Sequence, residues 1–169
     1  GFIMGTVLGC AVAMLLWWND FISDVLEPYL VVLNSLPKTA LAPIIIVWIG
    51  NNMKSIIVTA LLTSVIVTIL SVLSGFLSVD NDKIKLVETF GGTKRQILFK
   101  VVLPASVPSI ISAVKISIGL SFVGVIVGEF LVAKAGLGYL IVYGSQIFKL
   151  GWVMLSIVIL GVFAALLYK

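Results

Sequence analysis

An all-α membrane protein is the fold class this sequence predicts, and three observations predict it. Hydrophobic residues fill 61% of the 169 positions and charged residues only 11%, where soluble domains carry about 25% charged. The apolar residues come in stretches near the roughly 20 residues that a bilayer crossing needs, and the mean hydropathy is +1.27. Much of the charge is gathered into one segment, residues 80–104. Such a chain has too little polar surface to cover itself in water. The solvent it suits is lipid.

About five spans follow in order. Residues 1–18 carry no charge and end at Trp17-Trp18, whose amphipathic rings suit a membrane interface. This stretch has no basic leader and no small-residue cleavage site, so it reads as span one rather than a signal peptide. The chain opens already inside apolar sequence, and the expectation is one domain over 1–169 that is truncated at its N-terminus. Asp20, Asp24 and Glu27 then mark a short amphipathic elbow over residues 19–28. Span two covers 29–50 and contains Pro37 and Pro43, each expected to kink or break it, with Lys38 beside the first break. Gly50-Asn51-Asn52 is a turn. Span three, 55–79, is uncharged throughout. After the charged segment, span four covers 106–131. Residues 134–149, around Gly136-Leu137-Gly138-Tyr139, read as a turn and a short interfacial or re-entrant helix. Span five covers 150–168. No tandem repeat stands out.

Orientation follows from Lys and Arg in the connecting segments. Lys83, Lys85, Lys94, Arg95 and Lys100 lie in the 80–103 loop, and an alternating count puts Lys169 on the same side. Lys54, Lys134 and Lys149 lie on the other. The loop is therefore expected in the cytoplasm, in a multi-pass plasma-membrane protein. The net charge of +4 belongs to this topology and does not point to nucleic acid.

Enzymatic chemistry finds little support. There is no histidine, and Cys10 is the single cysteine. That excludes a Cys/His metal site, a Cys-His nucleophile and a disulfide framework. No two carboxylates share a membrane helix face, and no Walker A or Gly-x-Ser-x-Gly pattern occurs. Small residues instead form stripes at steps of three and four: Ala60, Ser64, Thr68, Ser71, Gly75 and Ser78 in span three, and Ala113, Ser117, Ser121, Gly124 and Gly128 in span four. Two readings stay open for these stripes, close helix packing or the lining of a pathway or sliding seam. Lys115 and Glu129 are charges within span four. Fourteen residues separate them, about 21 Å along a helix, so they do not pair. Lys115 reads as snorkelling or facing a polar cavity, and Glu129 as an interface anchor or a gate.

The 80–104 segment carries a more specific signal. Gly91 is followed after nine residues by Val101-x-Leu103-Pro104. This spacing resembles the cytoplasmic signature of binding-protein-dependent ABC importer permeases: Glu-Ala-Ala, three residues, Gly, nine residues, Ile-x-Leu-Pro. Gly91, Leu103 and Pro104 match. Val101 replaces Ile, and Lys85-Leu86-Val87 stands where Glu-Ala-Ala would be. The likeness extends along the chain. Leu36-Pro37-Lys38-Thr39-Ala40-Leu41-Ala42-Pro43 with Trp48-Ile49-Gly50 is similar to the nitrate/sulfonate/taurine branch. So are Leu103-Pro104-Ala105-Ser106-Val107-Pro108 with Lys115, and Glu129 with Gly136-Leu137-Gly138-Tyr139-Leu140-Ile141.

The resemblance implies the type-1 (MetI-like) permease fold. It also implies two short helices around a glycine turn that docks into a cleft of a cytoplasmic ATP-hydrolysing subunit. Gly91, Gly92, Thr93, Lys94, Arg95, Leu103 and Pro104 would form that coupling loop, with Pro104 in the first turn of the next helix. Pro37, Lys38, Pro43, Lys115, Ser117, Ser121 and Glu129 are the candidates for pathway or gating roles. The implied partners are ABC ATPase subunits, a second permease copy in a homodimer, an extracytoplasmic solute-binding protein and the bilayer. No cofactor belongs to this chain, Mg-ATP being held by the ATPase. The cargo class implied is a sulfonate, taurine, nitrate or a vitamin precursor. The rival readings are half of a secondary transporter, which also uses broken helices and buried charges, a membrane-embedded enzyme, and a purely structural membrane subunit.

Overall fold

The computed structural model describes residues 1–132 and 134–168, with the side chains of all these except Thr39, Leu167 and Tyr168. Lys169, used above for orientation, lies outside the described residues. Every regular element among them is helical: α1 (Phe2–Trp18), α2 (Asp20–Ser35), α3 (Lys38–Ile49), α4 (Met53–Leu77), α5 (Asn81–Thr89), α6 (Lys94–Ile97), a π-helical turn (Leu98–Val102), α7 (Leu103–Val132), α8 (Leu137–Gln146) and α9 (Leu150–Tyr168).

Two of these are long and apolar enough to cross a bilayer outright, Met53–Leu77 and the continuous helix Lys94–Val132. The pair α2 and α3, bent by 99° at its break, makes a third if it counts as one span. Phe2–Trp18 and Leu150–Leu166 are shorter apolar helices, at the lower end of spanning length. The expected five spans therefore divide into two full crossings, one broken pair and two short helices.

Small residues explain how the central helices meet. Antiparallel α4 and α7 lie so close that a methyl group added at Gly124 would fall 2.6 Å from the Ala60 Cα, and one at Gly128 would fall 3.0 Å from the Ile56 Cα. On another side of α4, a methyl group at Gly5 or Gly9 of α1 would meet Ser64 or Thr68 at under 3 Å. Ala60, Ser64 and Thr68 are buried, as are Ala113, Ser117 and Ser121. Close backbone approach of this kind drives helix association where lipid offers no hydrophobic difference. The two stripes are thus largely packing seams, although Ser71 is only half-buried and Ser78 is exposed.

The apolar core sits toward one end of the bundle. Ala13 and Leu16 of α1, Val72, Leu73 and Phe76 of α4, and Ile97, Leu98 and Val102 around the π turn form a single cluster. This end also carries the charged segment, so the cluster braces it.

Three expectations need correction. The 19–28 elbow is not separate, because α2 runs unbroken from Asp20 to Ser35 through Pro28. Asn19 ends α1 and caps α2 by accepting the Ile22 N–H at 3.2 Å, so the chain turns there. The carbonyl that Pro28 leaves unbonded belongs to Asp24, an exposed residue that water reaches. Pro43 does not break span two; only Pro37 does, as the extended residue before α3. Ala42 and Ile45 beside Pro43 are buried, and their packing carries the helix across one lost bond. Pro104 stands in the first turn of α7 as expected, but no separate helix starts there, because the helix that began at Lys94 passes through it. The π turn makes this possible: Leu103 N–H bonds the Leu98 carbonyl, five residues back. That shift in the ladder just before Pro104 absorbs its missing donor.

Candidate functional site

The segment around Gly91 is built by two local motifs. Helix α5 ends in a Schellman arrangement: Gly91 N–H donates to Glu88 O and Gly92 N–H to Val87 O, both at 2.9 Å. That motif places Gly91 in the left-handed region, at φ 76°, where side-chain-bearing residues are disfavoured. Space is not what requires glycine there, since nothing lies within 4 Å of a methyl group added at Gly91. Gly92 is the reverse case: an added methyl group would fall 2.4 Å from Val87 Cγ1 and 2.7 Å from its carbonyl oxygen. Within this chain it is Gly92, not Gly91, whose missing side chain permits a close approach. Thr93 then starts α6 with a capping box, its Oγ1 accepting the Gln96 N–H while Gln96 Oε1 accepts the Thr93 N–H at 2.8 Å.

The resulting bend projects. Gly75 on α4 faces Ser109 on α7, and Ser106 Oγ donates to the Gly75 carbonyl at 3.1 Å. α4 ends at Leu77, so the part of the long helix before Ser106 extends beyond it by about 15 Å. Phe90 at the tip is 83% exposed, and the Arg95 guanidinium lies 6.0 Å from the Phe99 ring. Leu103 is half-buried and Pro104 exposed.

Lys94 is engaged inside the chain. Its Nζ lies 3.6 Å from Asp20 Oδ2 and 5.7 Å from the Trp17 ring centre. All three residues line a cavity of about 400 Å³, together with Asn81, Ile84, Glu88, Gly92 and Ile97. The α1–α2 corner and the bend therefore share one end of the bundle. Asn51, Asn52 and Met53 gather with Val132, Lys134 and Ala135 around a cavity of about 330 Å³, at the other end of α4 and α7. This matches the alternation deduced from the basic residues.

The candidate pathway residues do not converge on one site. Lys38 Nζ donates to Asn34 Oδ1 at 2.8 Å and to the Asn34 carbonyl at 3.1 Å, across the break between α2 and α3. A cation on the last carbonyls of a helix satisfies exposed acceptors and matches the helix dipole. Pro37 makes that break, and Pro43 lies exposed on α3. Ser117 Oγ is 3.3 Å from Thr6 Oγ1, a pair between α7 and α1. Ser121 is buried, and its Oγ is the one buried side-chain oxygen without a hydrogen-bond partner among the described residues. It lines an apolar cavity of about 290 Å³ with Phe2, Ile118, Phe122 and Val125. Lys115 is exposed.

Glu129 has a definite task. Its Oε2 accepts the Gly138 N–H at 2.9 Å, in the first turn of α8. A methyl group on Gly136 would fall 2.5 Å from the same oxygen. Glu129 thus fastens the start of α8 to α7.

Sequence reasoning missed three features. Gly5, Gly9 and Ala13 recur every four residues in α1 and are buried, a spacing that signals a packing face. The tie between Lys94 and Asp20 left no local trace. The role of Glu129 was readable in principle, as an acid placed shortly before the glycine-rich start of a helix.

Sequence comparison gives the family context. The family described as "Binding-protein-dependent transport system inner membrane component" matches residues 5–168. The formylaminopyrimidine transport permease protein ThiX of Halalkalibacterium halodurans is 35% identical over 140 residues, 82% of this chain and 56% of that protein. The taurine transport system permease protein TauC of Escherichia coli is 24% identical over 161 residues, 95% of this chain and 58% of that protein. SsuC of Bacillus subtilis, named for aliphatic sulfonates, is 27% identical over 162 residues, covering 96% of this chain and 59% of SsuC. The chain spans little more than half the length of these relatives.

Proposed function

The chain belongs to the family of binding-protein-dependent transport system inner membrane components, and from that premise we propose that it is a permease subunit of an ATP-driven importer. It is a multi-pass protein of the plasma membrane. Residues 1–169 form one transmembrane domain, and residues 80–104 its coupling loop on the cytoplasmic side. The bend at Gly91 docks on a cytoplasmic ATPase subunit, which hydrolyses the ATP. A second copy of the permease completes the pathway, and an extracytoplasmic binding protein delivers the cargo. The names of its relatives favour a small sulfonate such as taurine, or a substituted pyrimidine, as that cargo.

One observation carries this reading. The Gly91 bend is locally rigid, with a Schellman end on one side and a capping box on the other. It stands at the tip of a helix continuous from Lys94 to Val132. A coupling element has to transmit displacement rather than dissipate it, and a floppy tether does not. A 39-residue helix, about 58 Å long, carries motion from the bend to the far end of the bundle.

The test is co-purification of the full-length permease with its ATPase, with uptake measured in proteoliposomes. Gly91→Trp is expected to insert into the membrane normally, to lose the ATPase and to lose uptake. Normal co-purification together with normal uptake would count against docking at this bend. Uptake that continues with a hydrolysis-deficient ATPase would assign the chain to secondary transport instead.

A further inference from the structure

Lys94 occupies the first residue of α6, where the positive end of the helix dipole disfavours a cation. Something outside that helix has to hold it. Two groups from the α1–α2 corner do so: Asp20, the first residue of α2, with Oδ2 at 3.6 Å, and the Trp17 ring at the end of α1, 5.7 Å from Nζ. The negative charge of Asp20 is favourably placed at its own helix start. An exposed ion pair alone is weak. Here a ring face and a carboxylate bind one ammonium, and residues of all three helices wall a single cavity.

From this geometry we infer that Lys94 is a positioning residue that ties the glycine bend to the α1–α2 corner, rather than a group that contacts the partner ATPase. The inference rests on the importer reading for its consequence, which is a second mechanical route out of the bend. One route runs straight up the Lys94–Val132 helix. The other runs through Lys94 and Asp20 into α2, and so to the broken span at Pro37. Displacement of the bend then moves both elements together. Arg95 lies over Phe99 of its own helix and is the neighbouring cation that has no part in this tie.

Hydrogen exchange on the full-length permease in detergent, with no ATPase present, tests the tie itself. The amides of Gly92, Gln96 and Ile97 report on it, because each is bonded within the bend. Asp20→Asn and Lys94→Gln are each expected to speed their exchange about two- to fivefold, the range of a weak ion pair. The double variant Asp20→Asn with Lys94→Gln is expected to exchange no faster than the faster of the two single variants, because both act on one contact. Unchanged exchange in the single variants, or additive acceleration in the double variant, overturns the inference. A second measurement adds the ATPase. Both single variants are expected to retain it on co-purification while transporting less per ATP hydrolysed. Loss of the ATPase in Lys94→Gln but not in Asp20→Asn assigns Lys94 to the partner and overturns the inference. If the unaltered permease fails to bind any ATPase, the importer reading falls while the exchange result still decides the tie.

Discussion

The Glu129 carboxylate accepts the Gly138 N–H at 2.9 Å, joining α7 to the first turn of α8 across nine positions of chain. An acid at a helix start satisfies a donor that the helix itself leaves open and meets the positive end of its dipole. The prediction concerns stability before transport. Glu129→Ala is expected to destabilise the permease by about 1 kcal/mol, the usual loss of an N-terminal cap. Glu129→Gln, which keeps an acceptor oxygen, is expected to lose about half as much. Thermal unfolding in detergent measures both. Equal losses in the two variants would show that charge matters more than the hydrogen bond.

Gly136 is constrained from two sides. Its φ is 122°, outside the range that L-residues favour, and the Glu129 carboxylate occupies the place of a Cβ. Gly136→Ala is therefore expected to destabilise at least as strongly as Glu129→Ala. Removing Glu129 relieves the clash but not the backbone strain, so the double variant is expected to fall short of the sum by the clash alone. Additive losses in a double-mutant cycle would refute a shared cause.

The α4–α7 seam predicts a contrast between two glycines of one helix. Gly124→Val places its Cβ 2.6 Å from the Ala60 backbone, and over-packing of this kind costs about 1–3 kcal/mol or more. Gly119 has nothing within 4 Å, so Gly119→Val should assemble normally. Size-exclusion profiles and protease resistance of the two variants provide the comparison.

At the bend, Gly91→Asn separates conformation from bulk. Asparagine tolerates the left-handed region that φ 76° requires, and there is open space around the position within this chain. The bend should survive, with the Gly92 amide still protected from exchange, whereas Gly91→Val should lose that protection. If Gly91→Asn keeps the bend yet loses the ATPase, the partner itself needs the glycine for close approach.

Much of the fold was legible because lipid imposes a coarse rule. Apolar length marks the core of α4, of α7 and of the short outer helices, and the small residues of α4 and α7 mark the faces that pack on each other and on α1. The spacing from Gly91 to Leu103-Pro104 located the bend. What stayed hidden depends on continuity and on distant pairs. A proline reads locally as a helix start or a break, so Pro104 and Pro43 were assigned ends that the π turn and the packing of Ala42 and Ile45 remove. Pro28 sits where the acidic elbow was expected to give way to the next span, yet α2 continues through it. Lys94 and Asp20 are far apart in sequence, and no local pattern announces that one will meet the other. The role of Lys38 is the opposite case. A cation just after a helix end signals a cap, and Lys38 makes that cap on Asn34.

In the proposed importer the continuous run from Lys94 to Val132 would act as a lever. A tilt of only about 5° over its length of about 58 Å sweeps the tip through about 5 Å. Glu129 rides near that tip with α8 fastened to it, so a small rotation begun beneath one leaflet would re-aim a short helix at the opposite face. If the proposed coupling holds, a glycine pair inserted midway along the rod would let it flex, and nucleotide turnover by the partner would proceed without moving cargo.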